Sequence, residues 1–175
     1  MNNKDKLLKI LLIMVISGIF GFIYETIFYR IDFGYFVKRG ETLGPWLPIY
    51  SFGGLLIVLI NANDKKNKYK IFFKSMLVCG ILEYICGYIF LEYFNLRLWD
   101  YNTEILNFGN INGFICLRSI LFFGLSGTFL IKAVCPLLDK FKEKTSKLMY
   151  TICSVLPSTL LLVDVLTHNL MNLIK

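Results

Sequence analysis

Six ionisable side chains stand inside otherwise apolar runs of this sequence: Glu25, Glu83, Glu92, Arg118, Asp164 and His168. A charge in a membrane-spanning helix is costly and usually faces a bundle interior or a water-filled cavity, so each is a candidate for holding a solute or an ion. Carboxylates such as Glu25, Glu83 and Asp100 could take a cation or an amine. Arg39 and Arg118 could take an anion, and both signs together would suit a zwitterion. We expect Glu25, Arg39, Glu83, Asp100 and Arg118 to form the substrate-binding set. Asp164 and His168, four apart on one helical face, form a secondary pair that can touch.

Helical angles test whether these groups point inward. At about 100° per residue, Glu25 shares a face with Gly18 and Gly21, and Glu83 with Cys79, Gly80 and Gly87. Small residues line the seams where membrane helices approach closely, so both carboxylates should face the bundle. Glu92 is on the face opposite Glu83 and should meet headgroups or Arg97. Arg118 shares its stripe with Phe114, Phe122 and Leu125, and its cost in lipid argues for pairing with Glu25 or Glu83.

Other chemistries find little support. Cys79, Cys86, Cys116, Cys135 and Cys153 form no C-x-x-C pair and read as small thiols filling helix contacts. One histidine cannot anchor a metal site, so no metal ligand is assigned. Gly124-Leu125-Ser126-Gly127 has the G-x-S-G form found around intramembrane serine nucleophiles, but Ser126 and His168 lie at different depths. Those residues therefore read as a packing seam. Neither a P-loop nor a dinucleotide-binding glycine motif occurs, so no catalytic residue or cofactor is assigned. If ATP drives this protein, another chain hydrolyses it.

The elements that position these groups follow from composition. The chain has 175 residues, 56% hydrophobic and 18% charged, with a mean hydropathy of +0.61. A soluble domain is about 25% charged, so the bilayer is the expected solvent. The net charge of +7 lies in short loops between apolar runs, which excludes a nucleic-acid partner. An all-α transmembrane bundle in one domain, residues 1–175, is expected. Its five spanning helices should lie near 7–29, 44–62, 71–94, 111–134 and 148–173.

Basic residues set the orientation, because cytoplasmic loops carry the Lys/Arg excess. Thirteen fall on the amino-terminal side of the membrane, against Arg30, Lys38, Arg39, Arg97 and Lys175 on the other, which predicts N-inside and C-outside. In that orientation no intramembrane charge lies in the inner half, so the polar recess should open outward. Pro45 and Pro48 suit a helix start, and Pro157 should kink the last helix. Tyr29, Trp46, Trp99 and Tyr101 read as aromatic-belt anchors. No internal repeat is evident.

Three blocks stand on the expected outer side: Tyr24-Glu25, Arg39-Gly40-x-x-x-Gly44-Pro45-x-x-Pro48-Ile49-Tyr50, and Trp99-Asp100-Tyr101 with Ile115-Cys116-Leu117-Arg118-Ser119. With Glu83-Tyr84 between them, this order resembles the CmpB-type family of ABC-transporter type IV permeases, from about Gly18 to Pro136. Ser51 and Asn102 depart from the pattern, where glycine and serine are expected. The resemblance implies a small multi-pass membrane protein and a permease component. It supplies no substrate and no catalytic residue.

A permease-like protein of the cell membrane is therefore expected, acting as a homo-oligomer or with a separate ATPase subunit. Two alternatives stay open: an enzyme acting on lipid headgroups or lipid-linked substrates at the outer leaflet, and a structural or regulatory subunit without a ligand.

Overall fold

A computed structural model describes residues 2–40 and 42–173, with side chains as far as His168. Lys175 of the charge count lies outside the described residues. Among those residues the chain is helical: α1 (Asn3–Phe33), α2 (Pro48–Ile60), α3 (Lys68–Phe94), α4 (Leu117–Phe129), a π-helical turn (Leu130–Val134), α5 (Cys135–Lys144) and α6 (Lys147–Leu173). Among the described residues four stretches are long and apolar enough to cross a membrane: Asn3–Phe33, Lys68–Phe94, Leu117–Lys144 and Lys147–His168.

Two expected boundaries change. The segment expected over residues 44–62 is helical only across Pro48–Ile60. Thirteen residues rise about 20 Å, short of the roughly 30 Å hydrocarbon core, so α2 is not a fifth full-length crossing. The fourth segment starts at Leu117 rather than near 111, and its helix continues past Val134 through the π-turn into the charged α5. The last helix runs on through Pro157.

The chain divides into two compact units, Met1–Leu55 with Cys135–Lys175, and Leu56–Val134. In the first, α1 ends where Gly34 adopts a left-handed conformation (φ 78°) and its N–H bonds the Arg30 carbonyl, the usual way a glycine closes a helix. The chain then turns back along α1. The Leu47 N–H donates to the Gly18 carbonyl at 3.0 Å, and Gly18 lies fifteen residues before Phe33, about 22 Å along the axis. The start of α2 is therefore held beside the middle of α1, and from there α2 runs antiparallel to it. A methyl on Gly18 would overlap Ser51, and one on Gly21 would overlap the Tyr50 ring. These glycines let two backbones approach as small residues do in membrane bundles.

Helix α6 packs along α1 in the same direction: the Ser158 hydroxyl donates to the Leu11 carbonyl at 3.3 Å. Helix α5 is tied to the start of α1 by Lys9–Asp139 at 2.6 Å and Lys142–Asp5 at 2.7 Å. Both pairs are long in sequence separation, so only the folded chain makes them.

The second unit repeats the plan of the first. Helix α3 ends at Asn95, also left-handed (φ 55°), and the segment after it returns along the helix before a 13-residue helix, α4, begins. Helices α3 and α4 pack antiparallel, with Gly80 against Ile120, Gly124 against Phe72 and Met76, and Gly127 against Ser75. Gly124 and Gly127 are buried, which supports their reading as a seam. Among the described residues a long helix, a left-handed cap, a returning loop and a 13-residue helix thus occur twice.

The α2–α3 turn carries Asp64, which accepts from Lys70 at 3.4 Å and from Lys74. The Lys74 bond is the largest influence on this carboxyl and holds its pKa below the ordinary 3.8. A group with a depressed folded value stabilises the fold above its unfolded pKa and loses that contribution as pH falls through the folded one. The turn should therefore loosen only below about pH 4. Asp64→Asn should flatten this acid limb in a pH series of thermal midpoints, and an unchanged limb would show that the turn does not sense pH through Asp64.

Candidate functional site

The polar groups gather at the two returning loops. In the first unit Glu25, on α1, accepts from Arg39 of the loop, Nε at 2.8 Å and Nη2 at 2.7 Å, a two-pronged pair with both side chains less than a fifth exposed. The Arg39 guanidinium also lies over the Tyr29 ring, 3.8 Å from its centroid. A planar guanidinium can stack on an aromatic face while two of its edge N–H groups reach a carboxylate, a geometry that a lysine ammonium does not reproduce.

Asp164, on α6, accepts from the Leu43 N–H at 3.0 Å, the Gly44 N–H at 2.7 Å and the Trp46 indole N–H at 2.8 Å. One carboxylate thus satisfies two backbone donors of irregular chain. Such backbone is tolerated at membrane depth only where protein satisfies its polar groups. His168 lies one turn further along α6, half-buried, near enough to act electrostatically on Asp164. The Thr42 hydroxyl bonds the Trp46 carbonyl at 2.9 Å and closes the turn before α2.

In the second unit the buried face of α3 is Ile71, Ser75, Cys79, Gly80, Glu83 and Gly87, the face on which the angles placed Glu83. Glu83 lies eleven residues before Phe94, about 16 Å from that end. The returning loop reaches this level: the Tyr101 hydroxyl donates to Glu83 Oε1 at 2.5 Å, with both residues under a tenth exposed. Arg118, in the first turn of α4, pairs with Glu104 at 2.5 Å and lies 5.2 Å from the centroid of the Tyr101 ring. Glu83, Tyr101, Glu104 and Arg118 therefore form one buried cluster of two carboxylates, a phenol and a guanidinium.

The rest of that loop shapes this cluster. Asp100 pairs with Arg97 at 3.0 Å and accepts from the Asn102 N–H at 2.9 Å, with nearly a third of its side chain exposed. It organises the turn rather than entering the cluster. Arg97 reaches the Asn112 carbonyl at 3.0 Å, and the Trp99 indole donates to the Phe114 carbonyl at 2.9 Å. Gly113 has a φ of 76°, and a Cβ there would meet Arg97, Asp100 and Asn102, so only glycine fits.

The expected set is therefore distributed. Glu25 and Arg39 meet in the first unit, while Glu83 and Arg118 join one cluster in the second. Arg118 bonds Glu104, a carboxylate that spacing did not single out, and shares its cluster with Glu83, one of the two partners expected for it. Arg97 pairs with Asp100 rather than Glu92, which is exposed. Tyr29, Trp46 and Tyr101 were expected as belt anchors. Tyr29 is buried, and Trp46 and Tyr101 are hydrogen-bonded inside, as is Trp99 to the loop carbonyl. No local pattern marks Glu104 or pairs Tyr101 with Glu83, because their partners lie 14 and 18 residues away. Among the described residues no group of three His, Cys, Asp or Glu could hold a metal ion.

Residues 12–168 match the model of the family described as "Putative ABC-transporter type IV". No curated protein and no solved structure matches the chain. The matched stretch takes in both returning loops, all of α2 through α5 and the charged residues of α1 and α6 that hold them. The chain is a multi-pass membrane protein that belongs to the ABC-transporter type IV family.

Proposed function

We propose that the protein is the membrane-spanning permease component of an ABC-type transporter in the cell membrane. In this reading the cluster around Glu83 binds a small solute or ion. The observation that carries the reading is Glu83 itself: a carboxylate buried in the middle of an apolar spanning helix and hydrogen-bonded to Tyr101. Intramembrane carboxylates of this kind mark solute and ion pathways. Two carboxylates against one guanidinium favour a cation or a zwitterion over a simple anion. The lysine distribution supports an amino terminus inside, and the cluster then faces the outer half. An ATPase on a separate chain supplies the energy.

Glu83→Gln and Arg118→Gln test this. Uptake or binding is expected to fall at least about tenfold, the order expected for losing one charged hydrogen bond, while the inserted protein stays folded. Co-purification from native membranes with an ATPase would add the energy source. Loss of folded protein in both variants would instead favour the second reading, a structural subunit. That reading draws on the loop-anchoring geometry, since Glu25–Arg39, Glu104–Arg118 and Asp164 each tie a returning loop to a helix.

A further inference from the structure

At the amino-terminal end of α3 the fold brings two distant segments together. Lys132, on the π-helical turn, donates through Nζ to the Lys66 carbonyl at 2.8 Å, although the residues are 66 apart. This adds a fourth exposed ammonium to Lys65, Lys66 and Lys68. The nearby carboxylate, Asp64, is occupied by Lys70 and Lys74. Among the described residues, none of Lys65, Lys66, Lys68 and Lys132 is paired with an acid. The first N–H groups of α3 add positive partial charge on the same side, with Asn67 capping only those of Tyr69 and Lys70.

An exposed apolar stripe leads away from these lysines. Tyr69, Phe73 and Leu77 are 67%, 63% and 63% exposed, and their spacing of four puts them on one face of α3. The Lys68 ammonium lies 5.2 Å from the Tyr69 ring centroid, at the join between the charged and apolar parts. An amphiphile with an anionic head and long acyl chains matches both parts at once. A water-soluble acidic protein would match only the lysines, because the stripe continues into the spanning part of α3.

We infer that Lys65, Lys66, Lys68 and Lys132 hold the headgroup phosphate of an anionic phospholipid whose chains lie along Tyr69, Phe73 and Leu77. The site depends on tertiary structure, because Lys132 reaches it only through the π-turn that follows α4. Clusters of four or more basic residues beside a spanning helix recognise anionic headgroups in this way.

The test is native mass spectrometry of the full-length protein, titrated in mild detergent with phosphatidylglycerol and, separately, phosphatidylcholine. The wild-type protein should bind the first phosphatidylglycerol about tenfold more tightly than phosphatidylcholine. The variant K65Q/K66Q/K68Q/K132Q should lose that preference while binding phosphatidylcholine unchanged, and K132Q alone should lose part of it. A charge-matched control, K4Q/K6Q/K140Q/K144Q, should keep the full preference. Equal loss in both four-lysine variants would mean general charge attraction and would overturn the site. An unchanged preference in K65Q/K66Q/K68Q/K132Q would overturn it too, as would loss of a co-purifying protein without loss of the lipid. Circular dichroism of the surface variants confirms that they remain helical.

Discussion

Trypsin is expected to cut the Asp164→Ala protein at Lys38–Arg39 about 100 times faster than the wild type. Asp164 accepts three hydrogen bonds from the returning loop, two from the Leu43 and Gly44 backbone and one from the Trp46 indole. Hydrogen bonds to a charged acceptor are each worth about 1.5–3 kcal/mol, and abandoned donors add a desolvation cost. Even a conservative net loss of about 3 kcal/mol raises the open population roughly 100-fold. Proteolysis follows that population when opening is fast. Asp164→Asn should fall between the two, because an amide oxygen still accepts but carries no charge. Cleavage at Lys65–Lys66, in a turn that Asp164 does not touch, is the internal control. An unchanged rate at Lys38–Arg39 would show that the carboxylate does not hold the loop.

The second large effect is expected at the α3–α4 seam. Gly127→Ala should lower the thermal stability of the detergent-solubilised protein by about 2 kcal/mol, the middle of the range for overpacking a tight contact. A methyl there would overlap the Cβ and hydroxyl of Ser75, which is fully buried and also receives a hydrogen bond from Asn61. The sign can be tested by a second substitution. Ser75→Gly removes the overlapping atoms, so the double variant should recover most of the loss, whereas Ser75→Ala keeps the Cβ and should not rescue. Additive losses in the Gly127→Ala, Ser75→Gly double variant would mean that the two positions are not in contact. The same logic applies to Gly21 and Tyr50, where rescue would require truncating a whole ring.

The first effect arises from a design that recurs in both units. A loop that returns beside a long apolar helix exposes backbone N–H groups where no water can satisfy them. The fold answers with charged side chains from neighbouring elements: Asp164 for the first loop's backbone, Glu25 for its Arg39, Arg118 of α4 for the second loop's Glu104, and Glu83 for its Tyr101. The ionisable residues that mark a candidate transport site are therefore also those that keep the loops in place. The Glu83→Gln experiment separates these roles, since a glutamine can still accept from Tyr101 but cannot carry the charge.

The sequence by itself determined the solvent, the helical class, the family and the inward face of two helices. These rest on quantities that add along the chain: apolar runs long enough for a bilayer, and angular positions of Glu25 among Gly18 and Gly21, and of Glu83 among Cys79, Gly80 and Gly87. Tertiary structure alone decided that α2 starts beside the middle of α1, that Arg118 meets Glu104, that Asp164 serves the Leu43–Trp46 turn, and that Lys132 joins Lys66. Each of these depends on where a loop goes after its helix ends. A 13-residue apolar helix preceded by Gly-Pro reads the same in sequence whether its start lies at the end of the preceding helix or about 22 Å back along it. The difference is a hydrogen bond between Leu47 and Gly18, residues 29 positions apart, and no local preference encodes it.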